Sequence, residues 1–305
     1  MIYDTIIVGG GPCGVSAGIY LTRSGKKVLL FEKMMIGGQV AFTSEVENYP
    51  GYIGKDGFGL CQNFTKQLNE AGVEVRYEEV VKLELSGDIK EIITKTGTYN
   101  ARSVILCLGA GSKKLNVPNE DRFAGKGVSY CATCDGSLYR GKVVCVLGGG
   151  NSALEEAIYL SDIAKKVYLI IRRDEFRAER SLIESLERKQ LEGKDIHIIK
   201  NSIVNSINGS EKVESLSLTD KMTSNVQEVD VDGIFVAIGR VPNTDILAGK
   251  LALDENGYII VDSHFETSVK GVFAGGDVIV KDLRQITTAV SDGAMLSVSV
   301  NNYLR

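Results

Sequence analysis

Two stretches decide how this chain folds: Asp4-Thr-Ile-Ile-Val-Gly9-Gly-Gly11-Pro-Cys-Gly14 and Lys142-Val-Val-Cys-Val-Leu-Gly148-Gly-Gly150-Asn-Ser-Ala153. Each is a short apolar, β-rich run that ends in glycines and passes into a helical pattern. In such a loop the first glycine (Gly9, Gly148) allows a tight turn. The second (Gly11, Gly150) lets the backbone approach a diphosphate, and the third position (Gly14, Ala153) permits close helix packing. The anion then rests on the free N–H groups and dipole of the helix N-terminus, which Pro12 opens in one copy and Asn151 and Ser152 in the other. A lone glycine pattern is weak evidence, but here the strand–loop–helix context occurs twice.

Working outward, both copies continue alike. A second strand pattern follows at Lys27–Glu32 and at Lys166–Ile171, and each unit closes on a strand running into glycine, Val104–Gly109 and Ile234–Gly239, the latter followed by Arg240. The expected fold is α/β, with two Rossmann-like dinucleotide-binding domains. The stretch after Pro242 holds one more strand ending in glycines and an acid, Gly271-Val-Phe-Ala-Gly-Gly-Asp277, and is too short for a third such domain. It is expected to complete the first, with the second inserted. Residues 1–112 and 242–305 then make one domain and residues 113–241 the other.

The end of the second strand separates the two ligands. Glu32 stands where a carboxylate would hold ribose hydroxyls, which suits the adenosine of FAD. At the same offset the second copy has Ile171, followed by Arg172, Arg173 and, in reach of a folded-back loop, Arg177. No acid is left there to repel a 2′-phosphate and guanidinium groups are at hand, which suits NADPH. The bland alternative for the arginines is a solvated charged face.

Between the loops lies Cys131-Ala-Thr-Cys134-Asp135. Half of a zinc site is one reading, but there is no second pair and only His197 and His264 to complete it. Two packed core cysteines are another. The redox reading fits best, because the pair lies beside a nucleotide unit and its spacing allows a reversible disulfide. Asp135 is either an acid–base group for thiol exchange or a helix cap. Cys13, Cys107 and Cys145 read as packing residues, and Cys61 is undetermined.

Composition narrows the class. With 44% hydrophobic and 24% charged residues and a formal net charge of −4, the chain is a soluble globular type without the basic stripe of a nucleic-acid binder. No apolar run is long enough to span a membrane. The strand pattern begins at once, leaving no room for a signal peptide, and one close cysteine pair among singletons suits a reducing compartment. A cytoplasmic location is expected.

Taken together, these motifs resemble the low-molecular-weight, bacterial-type thioredoxin reductases over essentially the whole chain. Further landmarks are Gly37-Gly-Gln39, Glu45-Val-Glu-Asn-Tyr-Pro-Gly51, Gly275-Gly-Asp277 and Arg284-Gln-Ile286. The resemblance implies that Gly37, Gly38, Gln39 and Asn48 line a flavin. Asp277 would bind the ribityl or phosphate portion of FAD, and Arg284, Gln285 and Ile286 would contact its ring end. It implies that Cys134 faces the flavin, Cys131 attacks the partner disulfide and Asp135 moves the proton. Lys33, Val80 and Gly109 join the FAD set, and Glu156, Gly239 and Arg240 the NADPH set. A homodimer and a thioredoxin-like partner follow from the same resemblance.

The chain departs from the family pattern twice. Ile171 stands where the family usually has His before the arginines, and Cys107-Leu-Gly109 replaces the usual Ala-Thr-Gly. The implied course is NADPH to FAD to the Cys131–Cys134 disulfide to thioredoxin, with a rotation of the inserted domain on hinges near residues 111–117 and 240–243. The rivals are the same reductase fed by ferredoxin, a flavin redox sensor without turnover, and an oxidase passing electrons to oxygen.

Overall fold

The computed structural model describes the chain except for residues 43–45, 47 and 55 and the side chains of Phe42 and Cys134. Glu45 and Glu47 of the tyrosine–proline landmark thus lie outside the described residues. Two compact units form, Met1–Gly111 with Val241–Arg305, and Ser112–Arg240.

The first unit begins β1 (Ile2–Val8), α1 (Pro12–Arg23), β2 (Val28–Phe31), α2 (Gly57–Ala71), β3 (Glu74–Arg76), β4 (Val80–Glu84), β5 (Lys90–Thr94) and β6 (Thr98–Leu106). β1 pairs in parallel with β2 and β6, and β2 with β3, while β4, β5 and the start of β6 form an antiparallel meander. All four residues of β2 are buried, as a parallel strand covered on both faces requires. α2 is bounded by local chemistry: Asp56 Oδ1 accepts from the Gly59 N–H at 2.7 Å, and Gly72 ends the helix in the left-handed region.

The chain leaves through β7 (Ala110–Ser112) and builds the second unit from α3 (Glu120–Phe123), β8 (Val128–Ser129), α4 (Ala132–Asp135), β9 (Val143–Leu147), α5 (Asn151–Ser161), β10 (Lys166–Ile170), α6 (Arg180–Leu191), β11 (Ile196–Ile199), β12 (Ser202–Asn208), β13 (Ser215–Asp220), β14 (Val226–Asp230) and β15 (Gly233–Val236). Its parallel sheet has the order β11-β10-β9-β15-β8, beside an antiparallel β12-β13-β14 sheet. The chain returns through β16 (Arg240–Pro242), which pairs with β7, and finishes the first unit with β17 (Val272–Ala274) and α7 (Ile286–Tyr303). β17 adds in parallel to the far half of β6. α7 lies against α1 so closely that a Cβ on Gly293 would fall 2.2 Å from the Cys13 carbonyl oxygen.

The closing strand differs between the units. In the first, β6 takes two successive neighbours within one sheet: residues 98–101 pair antiparallel with β5, and residues 104–106 lie between β1 and β17. In the second the same work is divided between β14 and β15. The strand read from Val104 in the sequence therefore starts six residues earlier, because its polar first half is held by the meander.

One buried carboxylate organises the entry to the second unit. Glu120, 2% exposed, accepts from the N–H groups of Leu115 (2.9 Å) and Asn116 (2.7 Å) and from the Tyr130 hydroxyl (2.8 Å). Asn116 has a positive φ of 59°, so this loop is held in a shape that needs the acid. Replacing Glu120 with Ala removes the acceptor of the partly buried Leu115 and Asn116 hydrogen bonds and of the Tyr130 hydroxyl, and should lower unfolding stability by about 1–3 kcal/mol, read as a lower urea midpoint. An unchanged midpoint would show that the loop finds other partners.

Candidate active site

Both glycine loops sit at the carboxyl ends of parallel strands. Gly9 has φ +108°, and a Cβ on it would lie 2.2 Å from the Cys107 carbonyl oxygen. Gly148 has φ +144°, and its Cβ would lie 2.2 Å from the Ala237 carbonyl oxygen. Gly14 would place a Cβ 2.0 Å from the Gly9 oxygen. By contrast, nothing lies within 4 Å of a Cβ on Gly11 or Gly150. These two are the N-caps of α1 and α5, and neither helix has a side-chain cap. Open space over unpaired N–H groups is the cradle a diphosphate needs.

The strand ends differ as the sequence suggested. Glu32, 8% exposed, accepts from the Gly10 N–H (Oε2, 2.8 Å) and the Met34 N–H (Oε1, 2.8 Å), so it braces the loop itself. Lys33 beside it is exposed. Ile171 is buried, and its Cγ2 would stand 3.2 Å from a Cβ on Gly149. The arginine loop folds back as expected: the Arg177 N–H donates to the Gly149 oxygen at 2.7 Å. Arg172, Arg173 and Arg177 are all exposed, and none has an ion-pair partner among the described residues. Asn151 is committed elsewhere, exchanging two 2.9 Å hydrogen bonds with Glu179 at the start of α6. Ser152 remains exposed beside it and Ala153 is fully buried.

The residues named by resemblance in the first unit gather around its loop. The Gly37 N–H donates to the Gly10 oxygen at 2.7 Å, and a Cβ on Gly38 would approach Gly11 Cα at 3.6 Å. Gln39 Nε2 donates to the Ala110 oxygen, next to the Gly109 turn, and Asn48 Nδ2 donates to Gln285 Oε1 at 3.1 Å. Gln285 also caps α7 in a reciprocal box with Thr288, so that Ile286 opens the helix. Arg284 is a clamp: it donates to the backbone oxygens of Asp277 (3.2 Å) and Ile279 (3.0 Å) and lies 4.0 Å over the Tyr258 ring. Val80 stands apart at the start of β4, where it pairs with Thr94.

Cys131 is disulfide-bonded, and the Cys134 side chain lies outside the described residues. The sequence reading missed Ser129. Its buried hydroxyl accepts from the Cys131 N–H at 3.1 Å and donates to Asp135 Oδ2 at 2.6 Å, joining Cys131 to Asp135. Thr133 Oγ1 donates to Cys131 Sγ at 3.3 Å. Asn243 was missed as well: it donates from Nδ2 to the Leu108 oxygen (2.8 Å) and from its N–H to the Gly109 oxygen (3.1 Å), pinning that turn.

Glu156 sits on α5 facing the start of α4. Burial pushes its carboxyl up to about 7, against the opposing pull of the Ala132 N–H and the Arg240 guanidinium, and Glu155 adds to the rise. Its Oε2 is buried without a hydrogen-bond partner. Cys61, left open by the sequence, packs beneath Gly37, and burial pushes its thiol up to about 11.

Comparison with known proteins places this geometry. The pyridine nucleotide-disulphide oxidoreductase family matches over residues 3–293. The thioredoxin reductase of Peptoclostridium acidaminophilum is 40% identical, covering 99% of this chain and 97% of its own length. That of Bacillus subtilis is 38% identical over 99% of this chain and 95% of its own. Among solved structures, the thioredoxin reductase of Lactococcus lactis aligns with a TM-score of 0.85 at 39% identity, covering 99% of each chain. The chain belongs to the pyridine nucleotide-disulphide oxidoreductases, in their low-molecular-weight thioredoxin reductase branch. It is an oxidoreductase of the two-dinucleotide-domain fold. No described helix is long and apolar enough to cross a membrane.

Two outcomes follow for stability. Gly9→Ala and Gly14→Ala each force a methyl into backbone and should cost several kcal/mol, whereas Gly11→Ala meets open space and should shift the unfolding midpoint by only about 1 kcal/mol. Glu156 supplies a pH signature. The folded acid keeps its proton up to about 7, whereas the unfolded chain releases it near the ordinary glutamate value of 4.5. The native state therefore binds more protons in that window, so stability falls as pH rises through it and the loss is complete above it. Glu156→Gln should gain on the wild type at pH 8 but not at pH 4, by on the order of 1–3 kcal/mol. Parallel pH–stability curves for the two proteins would contradict a buried acid.

Proposed function

We propose that the chain is a thioredoxin-disulphide reductase that binds FAD in its first unit and NADPH in its second, and works as a cytoplasmic homodimer. The observation that carries the reading is the juxtaposition, within one unit, of a disulfide-bonded Cys131, the Ser129–Asp135 hydrogen bond and an uncapped glycine-loop helix flanked by unpaired arginines. A nucleotide-binding strand end and a dithiol on one short sheet fit a path from coenzyme to disulfide.

The open loop at Gly11 would hold the FAD diphosphate, with Glu32 beside the ribose and Gly37, Gly38, Gln39, Asn48, Asp277 and Arg284–Ile286 around the remainder. The open loop at Gly150 would hold the NADPH diphosphate, with Arg172, Arg173 and Arg177 on the 2′-phosphate. When bound, FAD supplies the two-electron chemistry that joins a nicotinamide to a disulfide. The protein's own part is thiol exchange. Cys131 as thiolate attacks one sulfur of the partner disulfide, the partner's other sulfur leaves and takes a proton, and Cys134 then displaces the partner from Cys131 to restore the protein disulfide. Asp135, fixed by Ser129, takes the Cys134 proton and passes it to the departing thiolate.

Replacing Cys131 with Ser should leave flavin bound and reducible by NADPH while abolishing turnover of thioredoxin. Normal thioredoxin reduction by that variant would refute the assignment. Replacing Arg172 and Arg173 together with Ala removes charged contacts worth on the order of 1.5–3 kcal/mol, or roughly ten- to over a hundredfold. The KM for NADPH should rise accordingly and that for NADH should change little. Equal kcat/KM for the two coenzymes in the wild type, or activity only with reduced ferredoxin, would replace NADPH in the assignment. A ferredoxin-flavin thioredoxin reductase from Clostridium acetobutylicum aligns at 30% identity with a TM-score of 0.53, which makes ferredoxin a worthwhile arm of that assay.

A further inference from the structure

We infer that Cys13 and Cys107 are a second redox-active thiol pair, a site at which a peroxide installs an intrachain disulfide beneath the first glycine loop. The two sulfurs lie 3.3 Å apart although 94 positions separate them in sequence. Cys13 is the second residue of α1 and Cys107 the first residue after β6. Both are free thiols, exposed by only 3% and 7%. A disulfide needs about 2.05 Å between sulfurs, so the gap must close by little more than about 1 Å.

The surroundings favour this pairing over others. Cys13 Sγ stands 3.1 Å from where a Cβ on Gly275 would be, and Cys13 Cβ the same distance from one on Gly276. The Cys107 carbonyl supports Gly9. Backbone therefore walls the pair on two sides, and among the described residues no third thiol hydrogen-bonds with either sulfur. The charges that bear on Cys13 are Asp292 and Lys281, themselves ion-paired at 2.5 Å. Burial and the contact with Cys107 hold the Cys13 thiol well above its ordinary value, and exposures of 3% and 7% close the pair to bulky disulfides. A small peroxide is the oxidant that suits so enclosed a site.

The chemistry balances with hydrogen peroxide. One sulfur, losing its proton as it reacts, attacks a peroxide oxygen; the O–O bond breaks, giving a sulfenic acid and one water. The second thiol attacks that sulfur; the S–S bond forms, the S–O bond breaks and the oxygen leaves as a second water. Two thiols and one peroxide thus become one disulfide and two waters, and a dithiol reverses the bond by exchange. The product would fasten the start of α1 to the end of β6. None of this depends on the proposed reductase activity.

The test uses the full-length holoprotein. After titration with hydrogen peroxide, free thiols are alkylated in denaturant and the protein is digested without reductant for mass spectrometry. A crosslinked peptide pair containing Cys13 and Cys107 is expected, reversed by dithiothreitol. It should be absent from Cys13→Ala, in which Cys107 is recovered alkylated, and from Cys107→Ala with the converse result. Recovery of both wild-type cysteines alkylated, at peroxide doses that reoxidise a pre-reduced Cys131, would overturn the proposal. So would single sulfinic or sulfonic acids without the crosslink.

Discussion

Everything in this protein hangs on a backbone contact made twice. At Gly9 and at Gly148 the chain turns with positive φ so tightly that a single methyl group would overlap the carbonyl oxygen of the neighbouring parallel strand. The contact lets the helix start directly over the strand ends. Four consequences follow from one geometric fact. The helix N–H groups are left unpaired, the dipole points into the space above the sheet, the following glycine faces that space without a side chain, and the next strand delivers its last residue to the loop's flank. A turn one residue longer would lose all four.

The two units then diverge at positions the shared contact leaves free. In the first, the carboxylate of Glu32 spends part of its hydrogen-bonding capacity on the Gly10 and Met34 N–H groups, so the acid braces the loop from inside. In the second, Ile171 fills the corresponding place against Gly149 with hydrocarbon, and the charged groups lie outside it on an exposed arginine loop tied down by the Arg177 N–H. The third motif position follows suit. Gly14 admits no side chain against the Gly9 carbonyl, whereas Ala153 fits a buried methyl group beside Gly148. One architecture therefore yields two sites of opposite character, an acid braced inside and cations held outside.

Sequence made the loops, the strand ends and the arginine pair legible because each is a local pattern whose physics acts over a few residues. Ser129, Glu120 and Asn243 were not legible. Each is an ordinary polar residue that belongs to no pattern of its own: Ser129 stands just outside the Cys131–Asp135 motif it binds, and the partner of Asn243, Leu108, lies 135 positions away. Cys13 and Cys107 show the same limit in sharper form: each reads alone as a small core residue, and only the fold brings them to 3.3 Å. The start of β6 was missed for a related reason. Its first half alternates like any exposed strand, and only pairing with β5 shows where it begins.

The dithiol segment shows how long-range constraints complete a local motif. Cys131 to Asp135 is a single helical turn, too short to hold its own geometry. Its stability is borrowed from three directions. Ser129 on β8 ties the Cys131 N–H to the Asp135 carboxylate, Tyr130 is anchored on the buried Glu120, and Glu156 presents its carboxyl to the Ala132 N–H from α5. The last of these is the odd one, because burial pushes this carboxyl up to about 7, so that its charge changes near neutrality. Among the described neighbours only the Ala132 N–H and Arg240 oppose its protonation. The dithiol turn thus rests on a support whose charge depends on pH, while Ser129 and Glu120 hold it by contacts within the second unit that do not require Glu156 to be ionised.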